Sequence, residues 1–187
     1  VASALWGQES AATCAKGLTA DVPAGTEVRL QLRAAEVDIL GADAPRLKIT
    51  CELSDRVAQA DKVKLTAKLA GSAMEVGVAE GPWRDVHLRI EIPKNSNLWL
   101  RSRNGDVLIE EVVGNKDVEV RTGNLMISVG NATQYAHADG SVKLGDLTAF
   151  AFGFTRDGWN RHFEKENPAG KYRLHAHVGI GDLVLQQ

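Results

Sequence analysis

The chain has only two cysteines, two methionines, five prolines and ten aromatic residues in 187. Cys14 and Cys51 stand far apart with no CxxC, which excludes the usual zinc-ribbon and thioredoxin-like spacings. No apolar run approaches the roughly 18 residues that a membrane-spanning helix needs. Charge of either sign is in short supply as an excess: 22 Lys and Arg against 24 Asp and Glu, with no run of one sign. That balance argues against a nucleic-acid partner, which demands a basic stripe to displace counterions. Helical periodicity is nearly missing too, the one short candidate being Ser54 to Asp61. Motifs of nucleophilic or metal-assisted hydrolysis are absent: no GxSxG elbow, no HExxH, no phosphate-cradling glycine loop. The reading is accordingly non-enzymatic, with no cofactor and no metal site.

What the chain does have is alternation. Val28, Leu30 and Leu32 are set against Arg29, Gln31 and Arg33, and Leu47, Ile49, Cys51 and Leu53 against Lys48, Thr50 and Glu52. The same period runs through Val63 to Leu69, Met74 to Val78, and Val86 to Ile92. Successive strand side chains point to opposite faces, so each segment has one buried and one wet face. Between them lie "PAG", "GAD", "AGS", "EGPW" and "PKNSN", all turn chemistry. The first half therefore predicts an irregular β-sheet, some strands paired as hairpins.

From Asn97 the pattern becomes regular. "SRNGDVLIE", "TGNLMIS", "DGSVKLG" and "GIGDLVLQ" each write Gly, a short polar residue, an aliphatic, a free position and a second aliphatic. Gly105, Gly123 and Gly140 are 18 and 17 residues apart, and Gly181 follows 41 further on, a gap that holds one more short unit, "GDLTAF". Such a period fits a β-hairpin or one coil of a β-solenoid. The matching of residue type favours coils: Val107, Leu125, Val142 and Leu183 correspond, as do Ile109, Ile127, Leu144 and Leu185. In a coil these stack rung upon rung. Gly permits the corner, the short polar residue satisfies corner backbone groups, and the aliphatic pair fills the core. The second half thus predicts a short right-handed β-solenoid.

"LRSRNGDVLIEEVVGNKDVEVRTGNLMISV" and "GKYRLHAHVGIGDLVLQ" resemble the bacterial putative-adhesin family, a domain of unknown function built from repeated G-D-V-x-I strands. "VPAGTEVRLQLRAAEVDILGADAPRLKITCELSD" is similar to its opening. The resemblance covers about Asp21 to Gln187. It implies an all-β, β-helix-like fold, export to the periplasm, outer surface or medium, and an adhesive or interaction role with an unknown protein or glycan at the cell surface; it transfers no catalytic residues. Export would allow a Cys14–Cys51 disulfide, where the residues alone leave two unrelated buried thiols open. On this reading residues 1–20 form a tail, which is either a remnant of the export region or an arbitrary start, and 21–187 form one domain interrupted by an insertion at 149–171.

Several groups are candidates for chemistry. The corner positions Asp106, Asn124, Ser141, Asp146 and Asp182 would form a column of oxygens able to hold a hard cation such as calcium, although corner preference alone also explains them. His175 and His177 share a strand face, with His137 in an earlier unit; two imidazoles need a third ligand to hold zinc or copper, and solvent exposure explains them otherwise. The insertion "AFAFGFTRDGWNRHFEKENPAGK" carries half of the aromatics. Phe150, Phe152 and Phe154 alternate and are expected on one strand face, with Trp159 and Phe163 behind them. They either cap the core or, with Trp99, supply a binding patch for a glycan or protein. The free position of the repeat reads Leu108, Met126, Lys143 and Val184, and an apolar outward row is compatible with a homodimer. The competing reading is a polysaccharide-binding or polysaccharide-processing β-helix protein that uses the corner carboxylates.

Overall fold

The computed structural model describes residues 9–53, 61–79, 86–156 and 159–187, so most of the Ser54–Asp61 helical candidate lies outside the described residues. Eighteen strands follow in chain order. The first nine are β1 Glu9–Thr13, β2 Leu18–Asp21, β3 Glu27–Leu32, β4 Glu36–Ala42, β5 Arg46–Leu53, β6 Lys64–Ala70, β7 Ala73–Ala79, β8 Val86–Pro93 and β9 Asn97–Asn104. The rest are β10 Val107–Glu110, β11 Lys116–Thr122, β12 Leu125–Ser128, β13 Tyr135–Leu144, β14 Leu147–Ala149, β15 Phe154–Arg156, β16 Trp159–Glu166, β17 Tyr172–Ile180 and β18 Leu183–Gln186. The protein is all-β, with two nine-stranded sheets and no closed barrel among the described residues. The first sheet runs β1-β6-β7-β3-β9-β11-β17-β13-β16, the second β15-β14-β18-β12-β10-β4-β8-β5-β2.

At the centre the chain alternates between the sheets: β3 to β4, β9 to β10, β11 to β12, β13 to β14, β17 to β18. Each strand pairs in parallel with its counterparts in neighbouring units. The aliphatic pairs meet in register, Val107 beside Leu125 and Ile109 beside Ile127, then Leu125 beside Leu183 and Ile127 beside Leu185. Their side chains are at most 2 % exposed and line the space between the sheets. Burial of each such side chain contributes about 1.5–3 kcal/mol, the term that holds the parallel stack together.

Four expectations are corrected here. First, Val142 and Leu144 do not join that column. They lie in β13 of the first sheet, beside Val178 and Ile180, and Leu147 takes the place beside Leu183. Gly140 is correspondingly no corner. Along one inward row of the first sheet the side chains shrink from Leu100 to Val118 to Ala176 to Gly140. The row ends in glycine because the ring of Phe163 lies over Gly140, where a Cβ would come within 2.4 Å of Cε1. Second, the first half is not a separate irregular sheet. β3 and β4 are in register with β9 and β10, Val37 beside Val107 and Ile39 beside Ile109. Ala35 stands where the later units have glycine, so the sequence conceals the unit. Third, β13–β14 precede β17–β18 in the chain but lie outside them in the stack, so the last unit is interior. Fourth, the outward row continues from Leu108 and Met126 to Val184 and Thr148; Lys143 belongs to the other sheet.

The corners explain the recurrent Gly. Gly105, Gly123, Gly145 and Gly181 have φ between 114° and 137°, and a Cβ on Gly123 would sit 2.3 Å from the Gly105 carbonyl oxygen. Only glycine meets both demands. The polar residue that follows builds a ladder between units: Asp106 Oδ1 accepts from Asn124 N at 2.8 Å, Asn124 Oδ1 from Asp182 N at 3.0 Å, and Asp182 Oδ1 from Asp146 N at 2.9 Å. Ser141, expected in this column, is mid-strand in β13.

Candidate functional site

The insertion supplies the outermost strand at one end of both sheets, β16 antiparallel to β13 and β15 antiparallel to β14. Phe150–Phe152 form a 3-10 turn ended by Gly153 at φ 73°, not a strand, so the three phenylalanines do not share one face. The left-handed residue that glycine permits breaks the alternation. Phe152 and Phe154 pack against the core. Their ring centroids lie 5.5 and 5.6 Å from that of buried Phe163, and Tyr135 meets Phe152 edge-on at 6.3 Å. Phe150 is 67 % exposed. Trp159 opens β16, and its side chain lies outside the described residues. Trp99 is on the far part of the first sheet, half-buried, with the Arg101 guanidinium 4.4 Å above its ring. The five aromatic candidates are therefore not one patch.

The outer face of the first sheet instead gathers ionisable groups that no sequence run reveals, because parallel register brings them together from units far apart. One row across the strands reads Arg29, Trp99, Asp117, His175 and Asp139. The next reads Gln31, Arg101, Glu119, His177 and Ser141. Arg101 Nη2 contacts Asp117 Oδ1 at 2.8 Å and Glu119 Oε1 at 3.1 Å. Asp139 bridges two imidazoles, Oδ2 to His175 Nδ1 at 2.6 Å and Oδ1 to His137 Nε2 at 3.2 Å, and Ser141 Oγ meets His177 Nδ1 at 2.7 Å. His137 also meets Glu166 through Nδ1, and this hydrogen bond, more than the charge of either carboxylate, raises its pKa. Asp117, Glu119 and His175 bring ligand atoms within 4.8 Å of one another. The cluster takes in His175 but not His177, which meets Ser141 instead, so the two histidines that share a strand face are not brought together as ligands. A cation entering there has to displace Arg101, which already pairs with both carboxylates.

Behind this face lies a group that sequence reasoning missed. Lys116 points inward at 1 % exposure. Its ammonium donates to the Tyr135 hydroxyl and to the Gly114 carbonyl at 3.4 Å, and lies 4.9 Å from the Tyr135 ring centroid. Burial lowers its pKa to about 8, and burial raises that of Tyr135 to about 12. The signal was available: in "NKDVEVR" Lys116 stands in phase with Val118 and Val120, on the core side.

Cys14 and Cys51 are bonded, S–S 2.01 Å, tying the turn after β1 to β5. Residues 9–20, read as tail, contribute β1 beside β6 and most of β2 beside β5. No described helix is long and apolar enough to cross a membrane.

No family model matches the chain, and no curated protein matches it significantly. Among solved structures it is similar to a putative cell adhesion protein from Clostridium sporogenes, at 11 % identity and a TM-score of 0.56, over 97 % of this chain and 100 % of that one. A putative adhesin from Bacteroides fragilis aligns over 90 % of this chain and 95 % of that one, at 8 % identity and a TM-score of 0.33. The first likeness establishes a shared fold. The second is too low to add to it.

Proposed function

We propose that this is a non-catalytic, exported bacterial surface or envelope protein, an adhesin-like interaction module whose alternating units form a short right-handed β-solenoid. The observation that carries the reading is the outer face of the first sheet. Five parallel strands, in continuous register apart from one irregularity between Tyr135 and His137, present mostly polar side chains in rows on an open support. Binding by such a surface needs little conformational ordering, which is where affinity is otherwise lost. Two further facts support it. The Clostridium sporogenes protein of the same fold carries a cell-adhesion name, and the Cys14–Cys51 bond suits an oxidising compartment. Labelling intact cells of the native host with a membrane-impermeant biotin reagent, followed by binding of protein-coated beads to host-associated surfaces, tests the reading. Label on the protein and retention of the beads are expected. Recovery of the protein only from the cytosolic fraction, unlabelled, rejects it.

A further inference from the structure

A third row crosses the same outer face, nearest the corners. Arg103 on β9 is opposite Arg121 on β11, since Ser102 pairs with Val120 and Asn104 with Thr122. Arg33, one residue beyond β3, continues the row on one side, where Leu32 pairs with Ser102. On the other side come Gly179 and then Lys143, set by Val142 beside Val178 and Leu144 beside Ile180. Arg33, Arg103, Arg121 and Lys143 are all exposed. None of the three arginines has a carboxylate partner among the described residues. Arg33, Arg103, Arg121 and Gly179 line one groove of about 520 Å³. The single carboxylate lining it, Glu119, is engaged by Arg101.

Like charges directly opposite one another on neighbouring strands destabilise a sheet. Three arginines in one row, each two residues before its corner residue ("RAA", "RNG", "RTG", with "KLG" beyond), are therefore a cost to the fold. Gly179 leaves a notch in that row, and it has little freedom to be otherwise, because a Cβ there would lie 2.5 Å from the Arg121 carbonyl oxygen. With strands about 4.8 Å apart, four intervals from β3 to β13 give a cationic line roughly 19 Å long.

We propose that this row is a binding site for a linear acidic polysaccharide, one bearing carboxylate or sulfate groups along its length. The proposal rests on the adhesin-like reading and names its partner class. The charge and hydrogen-bond geometry fit: guanidinium forks bind carboxylate and sulfate oxygens bidentately, and Gln31 offers both donor and acceptor to sugar hydroxyls. Among the described residues no Phe, Tyr or Trp lines the groove, so it lacks the large stacking platform of a single-stranded nucleic-acid site and the Tyr or Trp anchor of a protein hot spot. The balanced net charge gave no hint of this row, since each arginine comes from a different unit.

The test is titration calorimetry of the full chain at low and moderate salt. The probes are heparin, polygalacturonate, neutral dextran, oligo(dT) and poly-glutamate. Binding to heparin or polygalacturonate that weakens with salt, with none to dextran, is expected. Arg103→Gln/Arg121→Gln should weaken it about tenfold or more, while Arg89→Gln on the opposite sheet leaves it unchanged. The double variant should fold with an undiminished melting temperature, because it relieves repulsion; were it to misfold, Arg33→Gln, just outside the strand, serves in its place with a smaller loss. Equal or tighter binding of oligo(dT) or poly-glutamate overturns the polysaccharide assignment, and binding insensitive to the arginine changes overturns the site. A protein that is labelled on intact cells yet ignores every polyanion overturns this proposal and leaves the adhesin-like reading standing.

Discussion

Replacing Lys116 by Met should stabilise the protein at neutral pH, provided that Tyr135 is changed with it. The folded-state pKa of about 8 against an ordinary 10.5 is a difference of about 2.5 units, and each unit is 1.36 kcal/mol, so keeping this ammonium charged inside the fold costs about 3 kcal/mol at pH 7. Lys116→Met removes that cost but leaves the buried Tyr135 hydroxyl without its partner, a loss of about 1–3 kcal/mol. The single variant is therefore expected within about 2 kcal/mol of the parent. Lys116→Met/Tyr135→Phe, which removes both polar ends, should gain about 2–3 kcal/mol. In a domain of this size that is a melting temperature higher by roughly 5–10 °C.

The pH dependence separates this account from simple repacking. Between pH 8 and 10.5 the unfolded chain still binds the proton that the folded chain has released, so the parent gains stability with rising pH and the variant does not. The lysine penalty, about 3 kcal/mol at pH 7, shrinks to about 1 kcal/mol at pH 10. Above pH 10 Tyr135 acts in the opposite sense: its folded pKa of about 12 means the unfolded chain ionises first, and the parent loses stability again. Urea denaturation of parent and double variant at pH 7, 8.5 and 10 reads the closing gap. A double variant less stable than the parent by 2 kcal/mol or more, with a difference that does not move with pH, refutes the reasoning. It would mean that the contacts with the tyrosine ring and hydroxyl outweigh desolvation.

Other consequences follow from the corners and the crosslink. Gly123→Ala should cost about 3 kcal/mol or more, since strain at positive φ adds to a Cβ 2.3 Å from the Gly105 carbonyl; Gly25→Ala, also at positive φ but in open space, should cost about 1 kcal/mol, and urea midpoints compare them. In the corner ladder Asp182→Ala leaves the Asp146 N–H without its acceptor and should cost about 1 kcal/mol, whereas Asp146→Ala, whose side chain terminates the ladder, should stay within about 0.5 kcal/mol. Alkylation of the denatured, unreduced protein should label neither cysteine. Reduction of a bond spanning 37 residues should lower stability by about 4 kcal/mol, and label on both cysteines before reduction would retire the bond.

The sequence made the all-β class and the central aliphatic columns legible because period-two alternation and a glycine corner are local signals. Val107, Leu125 and Leu183 could be aligned by eye, since each follows a corner glycine by two residues. What it hid has one physical source. In a stack of parallel units the neighbour across a strand is a residue about 18 positions away, 36 or 58 away where the insertion intervenes, or as far as from Val37 to Val107 where β5–β8 intervene. The network of Asp139, His137 and His175, and the arginine row, exist only through that register. "DGSVKLG" imitated the repeat because Asp-Gly is a turn signal; its glycine serves instead to admit Phe163. The unit of β3 and β4 escaped notice because alanine replaced glycine at its corner.

The order of the units constrains how the protein can assemble. β17–β18 lie between β11–β12 and β13–β14, so strands later in the sequence than β13–β16 complete the interior of the stack. Until they arrive, β11 and β12 present unpaired parallel edges, and β13–β16 have no partner in either sheet except each other. The antiparallel pairs β13–β16 and β14–β15 join strands close in sequence, the kind of contact that costs least loop-closure entropy. β17–β18 join that piece to the earlier units and place Leu174 beside Lys116. The insertion thus has a topological role as well as a surface: it places antiparallel strands outside β13 and β14. Here the open edge is moved onto β15 and β16, antiparallel strands of which β16 carries Arg161, Glu164, Lys165 and Glu166. Charged residues on an edge strand are a known deterrent to further pairing.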